Sequence, residues 1–147
     1  TFTQPLQDSR ITRLKEFLRE YQSPLENTAD VFVDAADRNN LDWRLVVAIA
    51  GAESTFGKQV PTESYNAWGW GIPTGASSGI AFSDWEHGIN TVSEGLNKNY
   101  LLKGAAGLDG IGAIYAASPV WAQHVQYFMN KIENFIPSNK NALAMSL

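Results

Sequence analysis

The sequence predicts an α+β protein dominated by helix, with about six helices and one small β-hairpin lobe after the third. Three observations carry that expectation. Apolar residues recur at three- and four-residue spacing over Ser9–Tyr21, Leu25–Arg38, Trp85–Leu102 and again up to Phe135. One run, Leu45–Ala52, is apolar or Gly without a break, as in a helix covered on every side. Between Lys58 and Phe82 the helical spacing stops, and Pro61, Gly69, Gly71, Pro73, Gly75 and Gly79 punctuate the chain.

Residues 1–8 read as an arm. The first helix, Ser9–Tyr21, places Ile11, Leu14, Phe17 and Leu18 on one stripe and its charges on the other. Ser23-Pro24-Leu25-Glu26 is a helix start: Ser as cap, Pro in the first turn, Glu at the capping-box position. The second helix buries Leu25, Ala29, Phe32, Val33 and Ala36 and breaks at Asn39-Asn40. Asp42 caps the third, central helix, which Phe56-Gly57 ends, with Gly57 at the left-handed exit position. Ala67–Ile72 and Gly79–Phe82 read as two short strands joined by a turn through Pro73–Ser78. Trp68 and Trp70 then share a face of the hairpin. Ser83-Asp84-Trp85-Glu86 is a second capping box, and its helix buries Trp85, Ile89, Val92 and Leu96. Asp109 caps a short helix ending near Ala116. Ser118-Pro119 opens the last, which buries Val120, Trp121, Val125, Phe128 and Ile132. Residues 137–147 read as a tail.

A chain of 147 residues suffices for one domain with its own core, and neither a repeat nor a linker divides it, so 1–147 is expected to be a single, monomeric unit. The net charge of −4 argues against a nucleic-acid or anionic-membrane partner, which calls for a basic surface. With no Cys, neither a disulfide framework nor thiolate chemistry is available. The longest apolar run, about eight residues, is too short to span a bilayer. The chain opens without a basic, apolar leader, so any signal peptide is expected to have been removed already. His87 and His124 fall on different helices without a second ligand at metal spacing, so neither a metal nor a cofactor is expected.

What remains is one carboxylate in an apolar helix. Glu53 follows Val46, Ile49 and Ala50 by seven, four and three residues, so it is expected to point the way they do. Apolar surroundings disfavour its ionised form, and the negative end of the helix dipole acts in the same direction. A carboxyl held neutral near the working pH is what a general acid must be. Beyond it comes a loop rich in Trp, Tyr, Asn and Gly. Flat aromatics beside amides suit a sugar, whose ring faces are apolar and whose edges carry hydroxyls. A shielded acid beside a sugar groove points to cleavage of a glycosidic bond.

Ala48-Ile49-Ala50-Gly51-Ala52-Glu53-Ser54-Thr55-Phe56-Gly57-Lys58, followed by Tyr65-Asn66-Ala67-Trp68-Gly69-Trp70-Gly71-Ile72, resembles the catalytic signature of the lysozyme-like superfamily. The likeness is nearest to the bacterial peptidoglycan glucosaminidases and soluble lytic transglycosylases. Ile114–Ala122 is similar to the glucosaminidase motif Tyr-Ala-Thr-Asp-Pro-x-Tyr-Ala, with Ala117 and Ser118 where that motif has Thr and Asp. Trp68-Gly69-Trp70-Gly71 stands where Phe-Gly-Ile-Lys is usual. The resemblance implies a lysozyme-like fold and a secreted or cell-envelope enzyme, bacteriolytic or remodelling, acting on β-1,4 linkages between N-acetylmuramic acid and N-acetylglucosamine. It makes Glu53 the catalytic acid and Tyr115 the tyrosine facing it across the cleft. Ser54, Tyr65, Asn66, Trp68 and Trp70 would line the sugar site.

A second catalytic carboxylate is harder to find. None lies between Ser64 and Ser83, and only Glu63, Asp84 and Glu86 flank that stretch. An inverting hydrolase needs a base about 6.5–9.5 Å from the acid, and a retaining one a nucleophile about 5 Å away. Should none of the three reach the cleft, Glu53 works alone, and the substrate's N-acetyl group or 6-hydroxyl takes the nucleophile's part, as the lytic transglycosylases are understood to do. The competing expectation is a catalytically idle carbohydrate-binding module on the same fold. It would need Trp68 and Trp70 but no shielded acid.

Overall fold

The computed structural model describes residues 8–71, 79–101, 107–115 and 120–137, and these residues are helical throughout their regular parts. The helices are α1 (Ser9–Glu20), α2 (Ala29–Arg38), α3 (Leu45–Ser54), α4 (Trp85–Leu96), α5 (Gly107–Tyr115) and α6 (Trp121–Glu133). A 3-10 turn, Glu26–Thr28, precedes α2, and a π-helical turn, Asn97–Leu101, extends α4. No helix among the described residues is long and apolar enough to cross a membrane.

The hydrophobic pattern locates the core. Leu14, Phe17 and Leu18 of α1 are buried, as are Ala29, Phe32, Val33 and Ala36 of α2, with Leu25 ahead of it. Helix α3 carries the centre: every residue from Leu45 to Gly51 is buried. Such a helix has no polar face, so other elements must cover it. It packs chiefly on α6, and also on α2 and α4. Trp121, Val125, Met129 and Ile132 of α6 and Ile89, Val92 and Leu96 of α4 close the remaining sides.

Helix starts follow the short polar side chains, with small shifts. Asp8 caps α1 by accepting from Arg10 N at 2.9 Å. Asp84, not Ser83, caps α4, accepting from His87 N at 2.7 Å, and Ser83 faces the His87 ring instead. Asp42 caps a turn one step before α3, where it accepts from Arg44 N. Ser23 Oγ accepts from Leu25 N and donates to the Phe56 carbonyl at 2.7 Å, fastening the start of α2 to the end of α3. Helix α5 begins at Gly107, so Asp109 falls inside it. Val120 is exposed rather than buried, ahead of the first turn of α6.

Helix α3 ends earlier than expected. Thr55, Phe56 and Gly57 take successive φ values of 51°, 56° and 82°. Two of the three are not glycine, and each such residue costs roughly 1–2 kcal/mol. The compensation is visible at Phe56, which is fully buried and edge-on to Phe17 and Phe128 at 5.4 and 5.1 Å. Burying a Phe stabilises by about 1.5–3 kcal/mol. Its ring lies where a side chain at Gly51 would project: a Cβ there would meet it at 2.6 Å.

The β-hairpin lobe is the main correction. Among the described residues there is no strand, and their regular structure is all-helical rather than α+β. The segments read as strands, Ala67–Gly71 and Gly79–Phe82, are irregular. Ile72 and the turn through Pro73–Ser78 lie outside the described residues. The physical reason is Asn66. Its Nδ2 donates to the carbonyls of Trp70 at 2.8 Å and Ile80 at 2.9 Å, and its Oδ1 accepts from Trp70 N at 3.0 Å. One side-chain amide thus satisfies the groups a ladder would pair. Positive φ at Glu63, Tyr65, Gly69 and Gly71 curls the chain around it. One backbone bond, Phe82 N to Ser64 O at 2.8 Å, closes the loop from the other side.

Candidate functional site around Glu53

Glu53 occupies the last turn of α3, two residues before the left-handed exit at Thr55. The side chain is not sealed in with Val46, Ile49 and Ala50. Those three are buried, whereas Glu53 as a residue is exposed at the rim of the helix. Its carboxyl is only partly shielded. Oε1 accepts from the indole Nε1 of Trp121 at 3.0 Å, which ties the end of α3 to the start of α6. Oε2 faces the backbone of Gly69. Burial raises the Glu53 pKa above its ordinary value, and the Trp121 hydrogen bond, which favours the charged form, lowers it by less. The direction agrees with the sequence reading, and burial is the leading cause.

The other expected site residues divide into three groups. Ser54, Asn66 and Trp68 point inward. Ser54 is buried, with its hydroxyl 2.7 Å from the Ala67 carbonyl and 3.0 Å from that of Ala50, and it accepts from Gly57 N at 2.9 Å. It fastens the helix end to the loop. Asn66 is 2% exposed and holds the loop as described. Trp68 is fully buried, and its Nε1 donates to the Val46 carbonyl of α3 at 3.0 Å. Its ring lies edge-on to Phe32 and Phe82. These three build the site's frame and present no surface to a sugar.

Tyr65 and Trp70 are closer to the surface. Tyr65 is 37% exposed and stands edge-on to Trp85 at 5.0 Å. Trp70 is half-buried and lies over α4 at Gly95, where any larger residue would collide with its ring. Of the expected platform, Tyr65 is exposed and Trp70 partly exposed.

The third group is not joined to Glu53. Glu63, Asp84 and Glu86 are exposed, and Asp84 is committed to the α4 cap. Among the described residues the hydrogen-bond partner of Glu53 is Trp121, not a second carboxyl. Tyr115 ends α5, and its side chain lies outside the described residues. Lys58 and Lys98 are exposed. No group of His, Asp and Glu suited to a metal ion occurs among the described residues. A cavity of about 760 Å³ between α1 and α6 includes none of these side chains.

Two residues at the carboxyl were not singled out from the sequence. Trp121 was legible as a buried aromatic of the last helix, within the Ile114–Ala122 motif, but its indole was not paired with Glu53. Gly69 stood among the loop's glycines. Its φ of +61° and its closeness to Oε2 are properties of the fold, and one sequence carries no sign of them.

No protein-family model matches the chain, and no curated protein matches it.

Proposed function

We propose that the protein cleaves peptidoglycan glycan strands at β-1,4 linkages between N-acetylmuramic acid and N-acetylglucosamine, with Glu53 as general acid. The observation that carries this reading is the carboxyl itself: at the rim of a helix otherwise buried, held by one indole N–H, and pushed by burial toward its protonated form. A neutral acid donates its proton to the leaving oxygen as the C1–O bond breaks, and positive charge develops at C1. Either water or the sugar's own 6-hydroxyl then bonds to C1 and returns a proton to Glu53. The first outcome is hydrolysis, and the second leaves an anhydro end. Among the described residues Asp84 is used as a cap and Glu63 and Glu86 are exposed, so the reading takes assistance from the substrate rather than from a protein nucleophile. Such a substrate places the protein outside the cell or in its envelope.

The idle-module alternative loses most of its support. It required Trp68 and Trp70 as a sugar platform, and Trp68 is fully buried. It also offers no role for a shielded acid.

The test is Glu53→Gln. Turbidity clearing of a peptidoglycan suspension is expected to fall by at least about a hundredfold while the circular dichroism spectrum is kept. Mass spectrometry of fragments released by the wild type identifies the linkage cut and the end formed. Clearing by the Gln variant at the wild-type rate refutes the proposal.

A further inference from the structure

The two oxygens of Glu53 are not equivalent. Oε1 lies 3.0 Å from the indole nitrogen of Trp121. An indole N–H is a donor only, so Oε1 acts as an acceptor whether the carboxyl is charged or neutral. A carbonyl oxygen accepts better than the hydroxyl oxygen of an acid, so in the neutral acid the indole favours the proton on Oε2. On that side stands Gly69. A Cβ built there would come within 3.2 Å of Oε2 and 3.8 Å of the carboxyl carbon, the nearest described atoms outside residues 68–70. A side chain at residue 69 would stand directly beside the proton-bearing oxygen, and glycine places none there. Its backbone φ of +61° independently favours glycine.

We propose that Trp121 and Gly69 are positioning residues for the acid: Trp121 fixes the proton on Oε2, and Gly69 leaves room there for the oxygen that receives it. The inference rests on the reading of Glu53 as general acid and adds the direction of proton delivery. The glycosidic oxygen approaches from the Gly69 side, takes the proton from Oε2, and leaves with the electrons of the C1–O bond. The same oxygen, now a carboxylate oxygen, accepts the proton of the incoming water or 6-hydroxyl. Throughout, Trp121 holds Oε1 in place, so the carboxyl does not rotate and present its proton to bulk water.

The first experiment needs no altered protein. In the full chain labelled with ¹⁵N, the Trp121 Nε1–H resonance is followed against pH, together with the ¹³Cδ signal of Glu53. The two are expected to titrate with one midpoint, and the indole titration is expected to vanish in Glu53→Gln. A flat indole signal across the range where ¹³Cδ titrates overturns the proposal.

Two variants separate positioning from packing. Trp121→Phe removes the donor and keeps most of the ring. The Glu53 midpoint is expected to rise, and kcat to fall more than KM changes. A purely packing role leaves the midpoint unmoved and sinks the idea. Trp121 is buried, so this variant needs a folding check, and the wild-type titration decides the matter should it fail to fold. Gly69→Ala is expected to keep the indole titration while kcat drops on the order of 100-fold, the usual cost of a misplaced reacting group. Full activity in a folded Gly69→Ala protein also overturns the proposal. The readouts separate two failures. A Glu53→Gln protein that still clears peptidoglycan refutes the acid. A flat Trp121 signal in a protein inactivated by Glu53→Gln refutes only the positioning.

Discussion

Replacing Asn66 by Ala tests whether this residue holds the loop or contacts substrate. The structure gives its amide three hydrogen bonds of ordinary length, to Trp70 O, Ile80 O and Trp70 N at 2.8, 2.9 and 3.0 Å. A fourth, from Trp68 N, is long at 3.4 Å and adds little. Each good bond is worth about 1 kcal/mol net. Because Trp70 is half-buried and Ile80 exposed, water recovers part of what is lost. The expected destabilisation is therefore about 2–3 kcal/mol. For a domain of this size that lowers the melting temperature by roughly 4–12 °C. The assay is urea unfolding followed by tryptophan fluorescence, with the m-value checked for two-state behaviour. Asn66→Asp sharpens the test. It keeps the shape and the acceptor but turns a negative charge on two carbonyl oxygens, so its harm is expected to be greater at about pH 7 than at about pH 4. A loss under about 0.5 kcal/mol, the level of an ordinary surface change, together with a raised KM for glycan, would refute the structural assignment and return Asn66 to the sugar site.

Other consequences follow from the same packing. Trp68→Ala is expected to cost about 3–5 kcal/mol by cavity formation, read as a lowered urea midpoint. Gly88→Ala sets a Cβ 2.6 Å from the Trp68 ring and 3.0 Å from that of Phe82, so overpacking of about 1–3 kcal/mol is expected in the same assay. Glu53→Gln is expected to raise the melting temperature at neutral pH but not in acid. The folded-state pKa of Glu53 lies above its unfolded value, so its contribution is full below the unfolded pKa and is lost as pH rises through the folded one. A neutral Gln escapes that loss. Asp42 behaves oppositely: the hydrogen bond from Arg44 holds its pKa below the ordinary carboxylate value. Its stabilisation is present above the unfolded pKa and fades as pH falls through the folded one, so Asp42→Asn is expected to flatten the acid limb of stability against pH.

The helices were readable because burial repeats at helical spacing. Leu14, Phe17 and Leu18, or Ile89, Val92 and Leu96, declare their faces without knowledge of any partner. The unbroken Leu45–Gly51 run correctly marked the central element. The loop was misread for a specific reason. Ala67–Gly71 carries aromatic residues and turn-forming glycines, which suit a strand edge as well as a compact turn. What decides between them is where one Asn side chain goes, a long-range fact relating Asn66 to Ile80. Glu53 was found through its apolar neighbours on α3, yet its exposure was misjudged, because the rim of the helix is set by how α6 begins against it. Trp121 meets Glu53 across 68 positions of sequence, and no local pattern encodes such a pairing.

The amide of Asn66 has a further effect, on self-association. A hairpin at this place would have offered a row of open N–H and C=O groups along its outer strand, ready to recruit a second chain. Residues 64–71 and 79–82 are instead gathered on one residue, with carbonyls turned toward it and φ changing sign along the chain. Such a curled segment is a poor template for intermolecular sheet growth. The described part of this loop therefore leaves no open strand edge beside Glu53 for a second chain to extend.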